Sequence, residues 1–141
     1  SHMHYVAISD KPLDVHALYQ KLKDPAFGGI VVFSGTVRQW TDEIETESLE
    51  YTAYEPMAVK ELTKLAEEVE AKGARVVMVH RVGHLKLADE AVFVGVAAPH
   101  RGEAFEWCEY LIDTLKQRVP VWKKEYDTDK VRWGGPTENG N

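Results

Sequence analysis

Apolar positions in this chain recur with two different periods, and the switches between them mark out its elements. His4 to Ser9 is a short apolar-rich start that reads as a strand. Pro12-Leu13-Asp14 then opens a helix with Leu13, Ala17, Leu18 and Leu22 on one face, and Pro25 stops it. After a Gly28-Gly29 turn, Ile30 to Arg38 reads as a strand that is apolar on both faces at its start. On a period of two, Ile30, Val32, Ser34, Thr36 and Arg38 share a face that turns polar toward the C-terminal end. Thr41 to Ser48, with Asp42, Glu43, Glu45 and Glu47, reads as an exposed loop. Leu49 to Tyr54 alternates again and is expected to pair with the preceding strand across that long connection.

Pro56 suits the first turn of a second helix, in which Leu62, Leu65, Ala66 and Val69 form one face and Lys72-Gly73 a basic stop. Arg75 to His80 and Ala91 to Ala98 are strands; the second is continuously apolar, as burial on both faces requires. A third helix runs from about Gly102 to Arg118, and Pro120 ends it. Val121 to Tyr126 and Lys130 to Trp133 are expected as two short strands, with a polar tail from 135 to 141. The pattern predicts one α+β domain over residues 4–134 with about three helices. Ser1-His2-Met3 resembles the remnant of a cleaved tag and is set apart.

Composition narrows the classes. At 141 residues the chain is long enough for one core without staples. Hydrophobic residues at 44% and charged residues at 28% exclude collagen-like and disordered classes. A net charge of −6 argues against a duplex-DNA binder, and no run approaches a membrane span. The single cysteine, Cys108, excludes an internal disulfide and suits a reducing compartment. It lies on an apolar helical stripe with Ala104, Leu111 and Leu115, the pattern of a packed core thiol.

The chemistry that remains is cationic. No glycine-rich phosphate loop is present, and Gly83 breaks any helix that would align His80 with His84, so no metal and no cofactor are expected. Cations gather where elements end: Arg38 after a strand, His100-Arg101 between strand and helix, and Lys116, Arg118, Lys123 and Lys124 around Pro120. In an acidic protein such clusters suit a small anion, although a solvated strand end or a favourable helix macrodipole accounts for each equally simply. Lys116 sits only about 20° round the helix from Phe105 and about 40° from Ile112, so it is expected to border the buried face. Lys123 shares a strand face with Val121 and Glu125, while Trp122, Lys124 and Tyr126 take the other. One lysine of the 123–124 pair must therefore face the better-buried side, where its pKa is open to perturbation. These positions alone indicate an anion site.

Several segments together carry a more specific pattern. Phe33-Ser34-Gly35-Thr36-Val37-Arg38, Leu49 to Tyr54 with Met57-Ala58, and His80 to Leu85 with Asp89-Glu90 resemble the large subunit of molybdopterin synthase. So do His100-Arg101, Ala104-Phe105, Ile112-Asp113, Leu115-Lys116 and Val119-Pro120-Val121-Trp122-Lys123-Lys124-Glu125. The one departure is Ala88, where a glycine usually precedes the acidic residue of a turn. The resemblance implies an α/β hammerhead with additional antiparallel strands, in a cytosolic sulfurtransferase of molybdenum cofactor biosynthesis.

It implies that sulfur from the C-terminal Gly-Gly thiocarboxylate of a small ubiquitin-like subunit builds the dithiolene on cyclic pyranopterin monophosphate. Two large subunits would form a homodimer at the centre of a heterotetramer, with no nucleic acid or membrane involved. It assigns Lys116 and Lys123 to catalysis and Arg38, His100 and Arg101 to substrate binding. Trp122 and Tyr126 are candidates to wall the channel for the partner's tail, with core packing the simpler alternative. Trp40 is a candidate interface residue. The competing readings are a non-catalytic scaffold keeping the same pocket, and a single-stranded nucleic-acid binder that the net charge disfavours.

Overall fold

The computed structural model describes residues 4–127 and 131–134, so Ser1-His2-Met3 and the 135–141 tail lie outside the described residues. In chain order the elements are β1 (His4–Ser9), α1 (Val15–Gln20), β2 (Gly29–Thr36), β3 (Trp40–Thr41), β4 (Ile44–Ala53) and α2 (Glu55–Glu70). Then follow β5 (Arg75–Arg81), β6 (Gly83–Lys86), β7 (Glu90–Ala98), α3 (Arg101–Arg118), β8 (Val121–Asp127) and β9 (Val131–Gly134). The α+β class and three helices agree with the sequence pattern.

Two sheets organise these elements. The first has the order β1-β5-β7-β2, with β1 parallel to β5 and the other pairs antiparallel. The second has the order β3-β4-β8-β9, with β6 also pairing β4. Between the sheets and the two long helices lies the main core, including Leu62, Leu65, Val69, Met78, Val94, Leu111 and Leu115. A smaller cluster on the other face of the first sheet seats Leu18 and Leu22 of the α1 region against Val77, Val79 and Phe93. β7 is buried along both faces, as its unbroken apolar run requires.

Three expectations are corrected. First, β4 does not pair with β2: β2 pairs with β7, whereas β4 pairs with β8, β6 and β3. A strand as apolar as β7 needs neighbours on both edges, and β2 and β5 supply them. Second, the acidic segment is a hairpin rather than an open loop. Thr41 faces Ile44 across the turn Asp42-Glu43, and Asp42 takes φ 56, a conformation aspartate tolerates. Third, β6 is an additional strand, too short for alternation to announce it.

The turn after β6 keeps its form despite Ala88, which adopts φ 70 where the resemblance leads one to expect glycine. That conformation costs an alanine about 1–2 kcal/mol. It is held by Ala88 N–H donating to Val37 O (2.8 Å), Val37 N–H to Asp89 O (3.0 Å) and Lys86 N–H to the Asp89 carboxylate (2.9 Å). These bonds fix the chain immediately before Arg38.

Candidate active site

The site forms where α3 hands over to β8. Val119 N–H closes the helix on Leu115 O (3.0 Å), and Pro120, lacking an N–H, cannot extend it. The connection is two residues long, so Lys116 in the last helical turn and Lys123 in the new strand stay close. Pro120 O also accepts from Tyr54 N–H (3.2 Å), joining this turn to the end of β4.

Lys116 is half-buried, and desolvation lowers its pKa; the positive charges of Lys123 and Arg38 push the same way, and Asp113 opposes them. Lys116 therefore feels the charge of two other cationic residues singled out in the sequence, Lys123 and Arg38. Lys123 faces the better-buried side of β8, with its side chain 11% exposed, and Nζ stands 4.0 Å from Oε1 of Glu125. Glu125 is itself buried. Tyr51, opposite Lys123 in the β4–β8 register, completes this inner layer. Burial and the Glu125 charge raise the Tyr51 hydroxyl to about 12, and its ring meets His80 edge-on at 4.9 Å. His80 is fully buried and pushed down to about 4, so it is neutral at physiological pH.

Glu125 is the residue that sequence reasoning missed as part of the site. Its signal was present in the alternation that puts it on the same strand face as Lys123.

Other candidates divide. Arg118 turns away from the site: it donates to Glu68 (3.0 Å) and Glu61 (3.3 Å) of α2, and Tyr110 also donates to Glu68. It thereby holds the last turn of α3 against α2. Lys124 lies on the opposite face of β8 between the rings of Tyr126 (5.2 Å) and Trp133 (5.1 Å). Trp122 is exposed on that outer face, away from Lys123, so the core-packing alternative does not hold for it. Tyr126 is half-buried there and donates to Glu50 (3.2 Å). Trp40 is exposed on β3.

His100 and Arg101 do not meet the lysines within one chain. They are exposed at the start of α3, fifteen residues before Lys116, which is about 22 Å along a helix. The helix face between them also differs from the sequence expectation. Phe105 is 62% exposed, so the apolar face that Lys116 borders opens onto a groove rather than the core. This groove, of about 360 Å³, runs between β2 and α3 and is lined on the helix by Phe105, Cys108, Glu109, Ile112 and Asp113.

Cys108 is buried, its thiol donating to Val94 O (3.6 Å), and burial pushes its pKa up to about 11. A thiol so protonated is a poor nucleophile. Cys108→Ala is expected to keep turnover while losing on the order of 1 kcal/mol of stability; activity and denaturant titration together check this. Among the described residues no group of three or more His, Cys, Asp or Glu is placed to hold a metal ion.

Residues 8–118 match the family model described as MoaE protein. The chain belongs to the MoaE family. It is 47% identical over 114 residues to the molybdopterin synthase catalytic subunit of Staphylococcus carnosus, covering 79% of this chain and 76% of that one. To the corresponding subunit of Bacillus subtilis it is 42% identical over 130 residues, or 91% and 83% of the two chains. The crystal structure of molybdopterin synthase from Staphylococcus aureus superposes with a TM-score of 0.87 at 40% identity, covering 92% of this chain and 96% of that one. The MoaE-family match runs from the last two residues of β1 through α3 and stops just short of β8, so it includes Arg38, His100, Arg101 and Lys116.

Proposed function

We propose that this chain is the catalytic subunit of a molybdopterin synthase, transferring sulfur from the C-terminal thiocarboxylate of a small ubiquitin-like subunit to cyclic pyranopterin monophosphate. The observation that carries this reading is the convergence of Lys116, Lys123 and Arg38 at the α3–β8 turn, in a chain of this family. The sulfur nucleophile comes from the partner, so the chain itself needs proton handling and anion binding rather than a reactive thiol. Attack by the thiocarboxylate sulfur on a side-chain carbon of the pterin displaces the phosphate ester oxygen, which opens the cyclic phosphate and leaves the partner's carbonyl as a thioester. A second thiocarboxylate replaces the neighbouring carbon's oxygen, which departs as water. Water then cleaves the C–S bond, leaving sulfur on the pterin and a carboxylate on the partner.

The two lysines divide this work by their surroundings. Lys116, with its ammonium form disfavoured, is the proton-transfer group and steadies the acyl intermediate. Lys123, held 4.0 Å from the Glu125 carboxylate, meets the phosphate or pterin oxygens. Arg38 adds a forked donor to the same anion.

His100 and Arg101 enter from a second copy. Arg101 and Lys116 stand symmetrically about the Cys108–Glu109 step, and the groove's helix lining, Phe105 to Asp113, is symmetric about nearly the same point. A twofold axis there sets two α3 helices antiparallel and brings Arg101 of one copy beside Lys116 of the other. It also covers the groove and the open edge of β2. The family resemblance supports a homodimer of this kind with one small subunit at each end.

Reconstitution tests the reading. This protein, cyclic pyranopterin monophosphate and thiocarboxylated small subunit are expected to yield dithiolene product. Failure to form any complex with the small subunit overturns it; a stable complex without product leaves only a scaffold.

A further inference from the structure

β2 begins at Gly29, directly beneath the backbone that enters α3. A Cβ placed on Gly29 stands 2.9 Å from Arg101 N, 3.0 Å from Arg101 Cα and 3.1 Å from the carbonyl carbon of His100. All three are backbone atoms, so no rotamer change relieves the contact. The preceding residue behaves differently: a Cβ on Gly28 meets only Pro99 O, at 3.4 Å, an ordinary contact. Neither glycine adopts a positive φ. The chain therefore requires at Gly29 the absence of a side chain, not backbone freedom.

The rest of α3 is anchored by Ala104, Trp107, Cys108 and Leu111, all buried. β2 is likewise held along its length by β7, Gly29 pairing with Ala98. Strain introduced at residue 29 is thus relieved chiefly by displacement of Pro99 to Arg101. The buried anchors of α3 begin only at Ala104, so the displacement falls on the unanchored residues before it.

We propose that Gly29 is a positioning residue: its missing side chain lets the His100–Arg101 backbone settle on β2 and fixes where those two side chains project. This rests on the reading that His100 and Arg101 bind the anionic substrate. Lys116 and Lys123, at the far end of α3, keep their places when Gly29 changes. Substrate affinity and turnover are therefore separable at this position.

Steady-state kinetics of the reconstituted complex, compared for the unaltered chain, Gly29→Ala and Gly28→Ala, provide the test. Gly29→Ala is expected to raise KM for the pterin roughly ten-fold or more, the scale of one weakened charge-assisted hydrogen bond, with kcat kept within about two-fold. Gly28→Ala is expected to match the unaltered chain. In an Arg101→Ala background the Gly29→Ala effect on KM shrinks, because the displaced ligand is already gone. A second readout needs no turnover: titration with inorganic phosphate, followed by the His100 imidazole NMR signals, is expected to show weaker binding in Gly29→Ala only.

Unchanged KM and unchanged phosphate binding in Gly29→Ala overturn the proposal. So does equal loss in both glycine variants, or a Gly29→Ala chain that circular dichroism shows to be unfolded, since the contact then serves the fold alone. An inactive unaltered complex counts against the synthase reading, and the phosphate titration still decides the role of Gly29.

Discussion

Lys116→Ala is expected to lower kcat by roughly two to four orders of magnitude, the usual contribution of a positioned acid–base group, while leaving the complex with the small subunit intact. The pH dependence distinguishes this role from simple charge. Burial first, and then the neighbouring charges of Lys123 and Arg38, hold the Lys116 pKa below its ordinary value. A lowered pKa raises the neutral fraction at any given pH, so a step in which Lys116 accepts a proton speeds up as pH rises through that pKa. The rate then levels off above it. Lys116→Arg keeps the charge but does not deprotonate in this range, and it is expected to lose both the rate and that limb of the profile. Full activity in Lys116→Arg would reduce Lys116 to an electrostatic anchor. Asp113 opposes the shift, so Asp113→Asn moves the limb to lower pH.

The second large effect concerns the shared site. Assayed with substrate near the KM of the unaltered chain, Lys116→Ala and Arg101→Ala are each expected to be nearly inactive as homodimers, the first through kcat and the second through KM. When the two are mixed and allowed to exchange, activity returns to about a quarter of the unaltered level, because half the dimers are hybrids and each hybrid has one complete site. The numbers follow from the geometry of α3, whose ends lie too far apart for one small substrate. No recovery on mixing, with exchange confirmed by mass spectrometry, would place both residues in the same protomer's site or in separate sites.

Most of the fold was legible where one physical signal dominated. β7 announced itself as an unbroken apolar run, α2 by its helical face and its proline, and α3 by the stripe from Ala104 to Leu115. What sequence did not reveal was pairing. Only the two-residue β3 separates β2 from β4 along the chain, yet the link of residues 37–39 carries the chain from one sheet to the other. The bonds that enforce this reach to Asp89 and Ala88, about fifty residues away in sequence. The Asp42-Glu43 turn was hidden by acidic residues that read equally well as solvated loop.

In the site, position at element ends marked Arg38, Lys116 and Lys123 among several cations, and the family resemblance picked them out. Arg118 and Lys124 matched them in composition and differ only in what they face: two α2 carboxylates for one, a pair of aromatic rings for the other. The groove was misread for the opposite reason. Phe105 and Ile112 lie on one helical face, and apolar periodicity does not say whether such a face meets the chain's own core or an outside surface.

The two-residue link between α3 and β8 acts as a reading frame. Side chains of β8 alternate between the inner layer, with Glu125 and Tyr51, and the outer face, with Tyr126 and Trp133. Adding or removing a single residue at Pro120 would exchange those faces, presenting Lys124 to Lys116 and sending Lys123 outward, without altering any functional side chain. The length of this link is therefore as much a part of the proposed active site as the lysines it connects.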